Sequence, residues 1–213
     1  MRLGEFAHYR SNERLKGNVL FLHYAGNIIN GSRGYAVAKD RNIEVWAMYS
    51  NTYPMPPFPP PANPDDPPPP KDLPEDRKED PIPEGAKFEL NCVLVGHSEK
   101  VTSLSYSADE FYLLSGSADR SIKLWCLRSK TLLCSFRGHS KTIWDVHFSP
   151  SGYYLLSGSA DGMAILWKTD EPQAQRIYYH RGDVYKVSFA KDPNYVITAG
   201  EDSCIKIWRT KEA

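Results

Sequence analysis

The residues that follow Pro83 repeat with a period of 41 or 42 residues, and this period constrains the fold more than any other feature. A histidine and a tryptophan 28 residues later recur in each repeat. An aspartate precedes that tryptophan by six residues, and a serine or threonine precedes the aspartate by four. The positions are His97, Ser115, Asp119 and Trp125; His139, Ser157, Asp161 and Trp167; and His180, Thr198, Asp202 and Trp208. The shared registers indicate three copies of one structural unit.

Each unit has the pattern of short β-strands joined by turns. In the first unit we expect strands at residues 101–106, 112–117, 121–127 and 131–136, with a turn at residues 118–120. Four short strands of this kind form one blade of a β-propeller. A single blade buries its faces poorly, so blades must stack side by side. The sequence therefore predicts an all-β fold of stacked blades.

The recurring polar residues have a structural explanation within a blade. The turn aspartate can accept a hydrogen bond from the histidine, whose other nitrogen can reach the hydroxyl, which in turn can reach the indole N–H. A buried polar group without a partner costs about 1–3 kcal/mol, so such a chain of hydrogen bonds would stabilise the blade. We therefore predict a structural role for these residues.

The catalytic and metal-binding alternatives are weaker. A Ser–His–Asp set could belong to a hydrolase, but this set occurs three times and without a nucleophile elbow. The histidines lack the closely spaced partners of a zinc site, and the chain has no G-x-x-x-x-G-K phosphate loop. We predict that the protein is not an enzyme and needs no cofactor or metal.

The spacing of Gly-His and Trp in these units resembles the WD-repeat family. The resemblance implies that each His, Ser or Thr, Asp and Trp set is one of the structural tetrads of the family. The third unit departs from the pattern, because Tyr179 stands where a glycine precedes the histidine. The residue after each tryptophan is Cys, Lys or Arg instead of Asp.

A degenerate copy of the repeat unit precedes the three clear copies. Residues 40–46 (DRNIEVW) share Asp, Arg, Ile and Trp with residues 119–125 (DRSIKLW). Asn18 stands where a histidine is expected, and Ala36 stands where the hydroxyl residue is expected. We predict a degraded first blade, or part of one, at residues 1–50 and three blades at residues 88–213. Four blades are few for a WD-repeat propeller, which usually has seven, so we expect a fragment or short form whose last blade has an unpaired apolar edge.

A proline-rich acidic insert at residues 51–87 separates these two parts. Fourteen of the 17 prolines lie between Pro54 and Pro83. Proline donates no backbone hydrogen bond and disfavours helix before it, so we expect an extended loop or linker. The alternative is a ligand for a proline-reading domain.

The insert and two further runs, at residues 139–170 and 176–208, resemble the WD-repeat portion of the family of TFIID fifth subunits and its paralogue in SAGA-type acetyltransferase complexes. The resemblance implies a nuclear, non-catalytic scaffold whose partners are other protein subunits. The alternative is a WD-repeat adaptor of another complex, such as a ubiquitin-ligase substrate receptor or a splicing or signalling scaffold. An upstream LisH-type helical domain would favour the first interpretation and an F-box the second.

Charge and hydropathy exclude several partners. Lys+Arg and Asp+Glu are both 26, so the formal net charge is zero, which disfavours a broad nucleic-acid-binding surface. No apolar run approaches the roughly 18–20 residues of a membrane span, and the N-terminal residues lack the apolar segment of a signal peptide. We expect no direct binding to nucleic acid or membrane. The four cysteines form no C-x-x-C pair and are expected to be reduced thiols, with a disulfide or metal ligand as the alternative.

Propellers of this family bind partners through the face where the first strand of each blade begins. By family position, that face would carry Lys100, Thr102, Thr142, Trp144, Asp183, Tyr185 and Glu201. We expect Trp144 and Tyr185 to be the main contacts, because large aromatic side chains anchor interfaces. The alternative for each is an aromatic residue packed between blades. Direct DNA binding is disfavoured because the nearby lysines and arginine are scattered.

Overall fold

The computed structural model describes residues 19–29, 32–49, 87–109, 111–192 and 194–210. These residues form fifteen strands in four antiparallel sheets, and no helix occurs within the described ranges. The prediction of an all-β fold of stacked propeller blades is confirmed. Nothing in this part of the chain forms an apolar helix long enough to cross a membrane.

The four sheets follow one another along the chain and are called blades 1 to 4. Blade 1 contains β1 (Val19–Ile29), β2 (Ser32–Lys39), β3 (Asn42–Tyr49) and β4 (Lys87–Leu94). Blade 2 contains β5 (Val101–Tyr106), β6 (Tyr112–Ser117), β7 (Ser121–Cys126) and β8 (Thr131–Arg137). Blade 3 contains β9 (Ile143–Phe148), β10 (Tyr154–Ser159), β11 (Met163–Lys168) and β12 (Ala174–Tyr179). Blade 4 contains β13 (Val184–Phe189), β14 (Tyr195–Gly200) and β15 (Ile205–Arg209).

The proline-rich insert falls inside blade 1. Strand β4 follows the insert in sequence, yet it pairs with β3, which precedes the insert, in a register that places Cys92 opposite Val45 and Leu90 opposite Trp46. Each sequence unit therefore begins one strand before its blade, because the outer strand of one blade is followed directly by the inner strand of the next. This offset ties neighbouring blades together covalently. Residues 51–86 lie outside the described part of the chain.

The hydrophobic core lies between the blades. Strand β7 is buried on both faces, because every residue from Ser121 to Trp125 is buried. Its Ile122 and Leu124 belong to the cluster that includes Ile143 and Val146 of blade 3. A second cluster joins blade 1 to blade 2, and a third joins blade 3 to blade 4. Burial of apolar area stabilises these contacts by about 25 cal/mol per Å², so each blade gains stability from its neighbours.

Tight packing between blades requires a glycine on the second strand of blades 2 and 3. A Cβ atom added to Gly158 would lie 2.8 Å from a methyl carbon of Val187 and 2.9 Å from one of Val184. The Cβ of any other residue would clash here, so glycine allows blade 4 to approach β10. Gly116 has the same relationship to Ile143 and Val146 of blade 3.

The far side of blade 4 exposes apolar residues. Ile205 and Ile207 are 74% and 68% exposed, whereas Ile122 and Leu124, at the same positions of blade 2, are 0% and 7% exposed. In blade 2 these positions are covered by the next blade, and the described residues supply no such cover for β15.

Candidate functional site

A chain of three hydrogen bonds crosses blade 2. His97 lies in the segment between β4 and β5, and its Nδ1 is 2.8 Å from Asp119 Oδ2 in the β6–β7 turn. The other ring nitrogen is 2.8 Å from the hydroxyl of Ser115 on β6. Trp125 on β7 donates its indole N–H to the same hydroxyl over 2.8 Å. The structure thus brings all four repeat residues of this unit together.

Blades 3 and 4 have the same geometry. In blade 3 the distances from His139 are 2.9 Å to Asp161 and 2.8 Å to Ser157, which accepts a hydrogen bond of 2.9 Å from Trp167. In blade 4 His180 lies 2.9 Å from Asp202 and 2.7 Å from Thr198. Trp208 donates its indole N–H to the hydroxyl of Thr198 over 2.8 Å. The hydroxyl of Thr198 can replace that of a serine, because the hydrogen bonds use only the oxygen and the proton of the hydroxyl group.

The protonation of these groups follows from their surroundings. Burial lowers the pKa of His97, although Asp119 acts in the opposite direction, so the imidazole is neutral. Burial raises the pKa of Asp119, but hydrogen bonds from Ser121 and His97 outweigh it and hold the pKa at about 2. The pKa values of Asp161 and Asp202 are lowered as well, with hydrogen bonds from their own histidines among the causes. A neutral imidazole then donates through Nδ1 to the carboxylate and accepts at Nε2 from the hydroxyl.

This arrangement does not suit nucleophilic catalysis. Ser115, Ser157 and Thr198 are 0% exposed, and each hydroxyl oxygen already accepts a hydrogen bond from an indole N–H. A nucleophile must reach the carbon that it attacks, and these oxygens have no access to a substrate. The role that their geometry supports is to satisfy buried polar groups and to hold the turn, the second strand and the third strand in register in blades 2, 3 and 4.

Blade 1 holds its tryptophan differently. Trp46 is buried, and its indole N–H lies 3.3 Å from Glu44 Oε2, two residues earlier on the same strand. Ala36 is buried opposite Val45 and has no hydroxyl to offer. Asn18, the position that corresponds to the tetrad histidine, lies outside the described residues.

Four of the seven predicted binding-face residues meet at the junction of blades 3 and 4. Trp144 on β9 and Tyr185 on β13 have ring centroids 6.3 Å apart. The indole N–H of Trp144 donates to Asp183 Oδ2 over 3.0 Å, and the backbone N–H of Asp183 donates to Glu201 Oε2 over 3.3 Å. The two rings are 37% and 45% exposed, so neither is enclosed between blades. We call Trp144, Asp183, Tyr185 and Glu201 the aromatic–acidic corner.

The other three predicted face residues have backbone or inter-blade contacts. The hydroxyl of Thr102 is half-buried and lies within hydrogen-bond distance of the carbonyl oxygens of Gly116 and Ile143, so it joins blades 2 and 3. The carbonyl oxygens of Lys100 and Thr142 accept hydrogen bonds of 2.9 Å from Ala118 and Ala160 in the β6–β7 and β10–β11 turns. The side chain of Lys100 is exposed.

Sequence reasoning missed Asp145 as a structural residue. Its carboxylate is 2% exposed and accepts hydrogen bonds from the hydroxyl of Ser103 on blade 2 and the backbone N–H of Val187 on blade 4. Lys186 Nζ lies 3.4 Å from Asp145 Oδ1, the oxygen that also accepts from Ser103. One side chain therefore links three blades. The signal was the repeat register itself, because Ser103, Asp145 and Lys186 are three polar residues at one repeat position of inner strands that are otherwise largely apolar.

The remaining candidate chemistry concerns metal ligands, cysteines and a second groove. No three His, Cys, Asp or Glu side chains within the described ranges are grouped so that they could hold a metal ion. The four cysteines are free thiols. A groove of about 590 Å³ lies between blades 2 and 3 at the end of the sheets opposite Trp144, and Tyr112, Leu133 and Tyr153 are among the residues that line it.

Comparison with known proteins identifies the repeat. The family of the WD domain, G-beta repeat, matches residues 88–126, 130–168 and 172–209, which are more than half of the chain. Striatin from Homo sapiens is 51% identical over 43 residues, which are 20% of this chain and 6% of striatin. The WD repeat domain-containing protein 83 homolog from Dictyostelium discoideum is 44% identical over 50 residues, which are 24% of this chain and 15% of that protein. The matched residues therefore span only a small part of either relative.

Proposed function

Because the chain belongs to the family of the WD domain, G-beta repeat, we propose that it is a non-catalytic scaffold that binds other protein subunits of a nuclear transcription-initiation complex of TFIID or SAGA type. Proteins with WD repeats generally mediate binding to other proteins. The proposal of a TFIID-type or SAGA-type complex, and of the nucleus, rests on the proline-rich insert inside blade 1 and on the resemblance of residues 139–170 and 176–208. The short matches to striatin and to the protein 83 homolog support the repeat but do not distinguish among complexes.

The exposed ring pair of Trp144 and Tyr185 is the observation that carries the interaction role. Large aromatic side chains are costly to leave in water and contribute strongly to interfaces when a partner covers them. Both rings stand near the start of the inner strand of their blade, on one edge of the stack. The polar tetrads, by contrast, are internal and leave the surface free for binding.

Affinity purification of the tagged full chain from nuclear extract, followed by mass spectrometry, tests this function. Other subunits of TFIID or of a SAGA-type complex should be recovered with the wild-type chain. Trp144→Ala should reduce their recovery. Tyr153→Ala is the matched control, because Tyr153 is a 71% exposed aromatic residue at the opposite end of blade 3.

The outcomes separate the possible roles. Recovery of ubiquitin-ligase subunits or of splicing factors, without transcription-factor subunits, would overturn the proposal in favour of an adaptor of another complex. Loss of the expected subunits with Tyr153→Ala, but not with Trp144→Ala, would move the binding surface to the groove at the other end of the sheets. Exclusion of the chain from the nucleus in cell fractionation would contradict the proposed location.

A further inference from the structure

The aromatic–acidic corner combines two exposed rings with two carboxylates. The planes of Trp144 and Tyr185 meet at 55°, so the rings form the walls of an open angle. Asp183 stands beside this angle through its hydrogen bond to the Trp144 indole. Glu201 stands behind Asp183 and accepts its backbone N–H. The faces of aromatic rings carry partial negative charge, so each of the four groups favours a cation nearby.

The two carboxylates of the corner form no ion pair within the described part of the chain. No lysine or arginine nitrogen of a described residue forms an ion pair with Asp183 or Glu201, whereas Asp145 below has Lys186 at 3.4 Å. Asp183 Oδ1 and Glu201 Oε1 accept no hydrogen bond from the described residues, because the contacts that hold these side chains use Oδ2 and Oε2. Partial desolvation and the charges of Glu201 and Asp183 raise the pKa of Tyr185, so both carboxylates act on this ring.

Gly182 allows Glu201 to take this position. A Cβ atom at residue 182 would lie 2.7 Å from Glu201 Oε2 and 3.0 Å from its Cβ. Any side chain here would therefore displace the carboxylate from the backbone N–H of Asp183. The glycine therefore leaves room for the carboxylate of Glu201 beside the backbone of Asp183.

The neighbouring junction between blades 2 and 3 shows that this arrangement is particular to one place. The same repeat positions there are occupied by Thr102, Thr142, Trp144 and Ala160, with Lys141 in place of Gly182. That junction has one aromatic ring and no carboxylate. Blade stacking therefore needs neither the second ring nor the two acids.

We propose that the aromatic–acidic corner binds the side chain of an arginine from a partner protein. A guanidinium group is planar and can stack on an indole or phenol ring while its N–H groups donate to carboxylates at its edge. Two free carboxylate oxygens beside two exposed rings match these needs, and the charge complementarity favours a basic protein segment over an acidic or apolar one. The inference deepens the proposed function, since it names the chemistry that one part of the scaffold surface recognises.

Titration of the full chain with short peptides tests this inference without any native partner. The probe is acetyl-Gly-Arg-Gly-amide, compared with the same peptide carrying Lys or Gln, and the signal is the indole N–H resonance of Trp144, assigned with Trp144→Phe. The arginine peptide should shift this resonance with a dissociation constant on the order of 1 mM, the value of a contact worth about 4 kcal/mol. The lysine peptide should bind more weakly, and the glutamine peptide should not shift the resonance at the same concentrations. Added salt should weaken the arginine complex.

Variants with matched charge changes complete the test. The double substitution of Asp183→Asn with Glu201→Gln should raise the dissociation constant of the arginine peptide at least fivefold, which is the scale of exposed ion pairs. The control is Asp170→Asn with Glu171→Gln, which removes two carboxylates that pair with Lys168 at the other end of blade 3 and should leave binding unchanged. Equal shifts with the arginine and glutamine peptides, no shift with any peptide, or equal weakening by both double variants would overturn the inference. Equal affinity for the lysine peptide would overturn the assignment to arginine. If the peptides fail while subunits still purify with the chain, only the corner loses its role and the proposed scaffold function remains.

Discussion

The hydroxyl of Ser103 in blade 2 donates a hydrogen bond of 2.8 Å to the buried carboxylate of Asp145 in blade 3. The same carboxylate accepts the backbone N–H of Val187 in blade 4 over 3.1 Å. Stacked blades are held mainly by apolar burial, which has no preferred direction. These hydrogen bonds are directional, so they specify the position of each blade relative to its neighbours. Asp145 therefore sets the register of three blades.

Replacing Asp145 with alanine should lower the free energy of unfolding by about 2–4 kcal/mol, because it leaves the O–H of Ser103 and the N–H of Val187 buried without an acceptor. Urea unfolding followed by far-UV circular dichroism measures this change. Asp170→Ala removes an exposed carboxylate of the same blade and should change stability by less than about 0.5 kcal/mol. Equal stabilities for the two variants would show that Asp145 does not fix the stacking.

Asp161→Ala should destabilise the protein by about 1–3 kcal/mol, because the imidazole N–H of His139 loses its acceptor in a buried site. Differential scanning calorimetry would register the effect as a lower melting temperature. The control is Asp192→Ala, because Asp192 is exposed and its side chain contacts Asn194 in the same turn. A melting temperature equal to that of the wild type would argue against a stabilising tetrad in blade 3.

The tetrad of blade 2 should make stability depend on pH below the ordinary range of a carboxyl group. The pKa of Asp119 is lowered from 3.8 to about 2 in the folded protein, so the stabilisation from its ionised form is complete above about pH 4. It is lost as the pH falls through the folded pKa, because protonation removes the acceptor of His97. Asp119→Asn cannot ionise, so the stability difference between wild type and variant should shrink between pH 4 and pH 2 in urea titrations. A difference that stays constant over this range would contradict the coupling.

Gly138→Ala should destabilise blade 3 by about 1–3 kcal/mol through overpacking. A Cβ atom at this position would lie 2.8 Å from the indole ring of Trp167, which is 1% exposed and also packs against Phe136. Thermal unfolding of Gly138→Ala and of Ser140→Ala, an exposed position two residues later, makes the comparison. If both variants have the melting temperature of the wild type, the ring of Trp167 can shift to accommodate the added methyl group, and the prediction is wrong.

Trp144→Ala and Trp167→Ala should separate binding from stability. Trp167 is buried in the core between blades 2 and 3, so its loss should cost about 3–5 kcal/mol. Trp144 is 37% exposed, so its loss should cost about 1 kcal/mol while it reduces the recovery of partner subunits. Chemical unfolding and partner capture are measured on the same preparations. A collapsed fold for Trp144→Ala with binding retained by the folded fraction would place this residue in the core.

The repeat spacing is enough to name the members of each tetrad. His97 and Asp119 lie 22 residues apart in sequence, yet the fold joins them at 2.8 Å, and the same separation recurs at His139 and Asp161 and at His180 and Asp202. A fixed spacing of this kind within an all-β pattern requires a shared tertiary contact. The departure at Tyr179 did not disturb it, because His180 still reaches both of its partners.

Contacts between different units are beyond this kind of inference. The sequence places Trp144 and Tyr185 at one repeat position and Asp183 two residues before Tyr185, but it does not say that the Trp144 indole bonds to Asp183. It also does not show that a strand after the proline-rich insert completes the blade before it.

The amino-acid sequence by itself determined the all-β class, the repeat family and the polar residues that belong to each unit. These follow from local alternation and from a period that repeats within one chain. Only the tertiary structure decided which blade faces meet, how Asp145 joins three of them, and where two acids and two aromatic rings form one corner. The physical reason is that stacking depends on the shape and charge of two surfaces together, and neither surface is contained in the pattern of a single repeat.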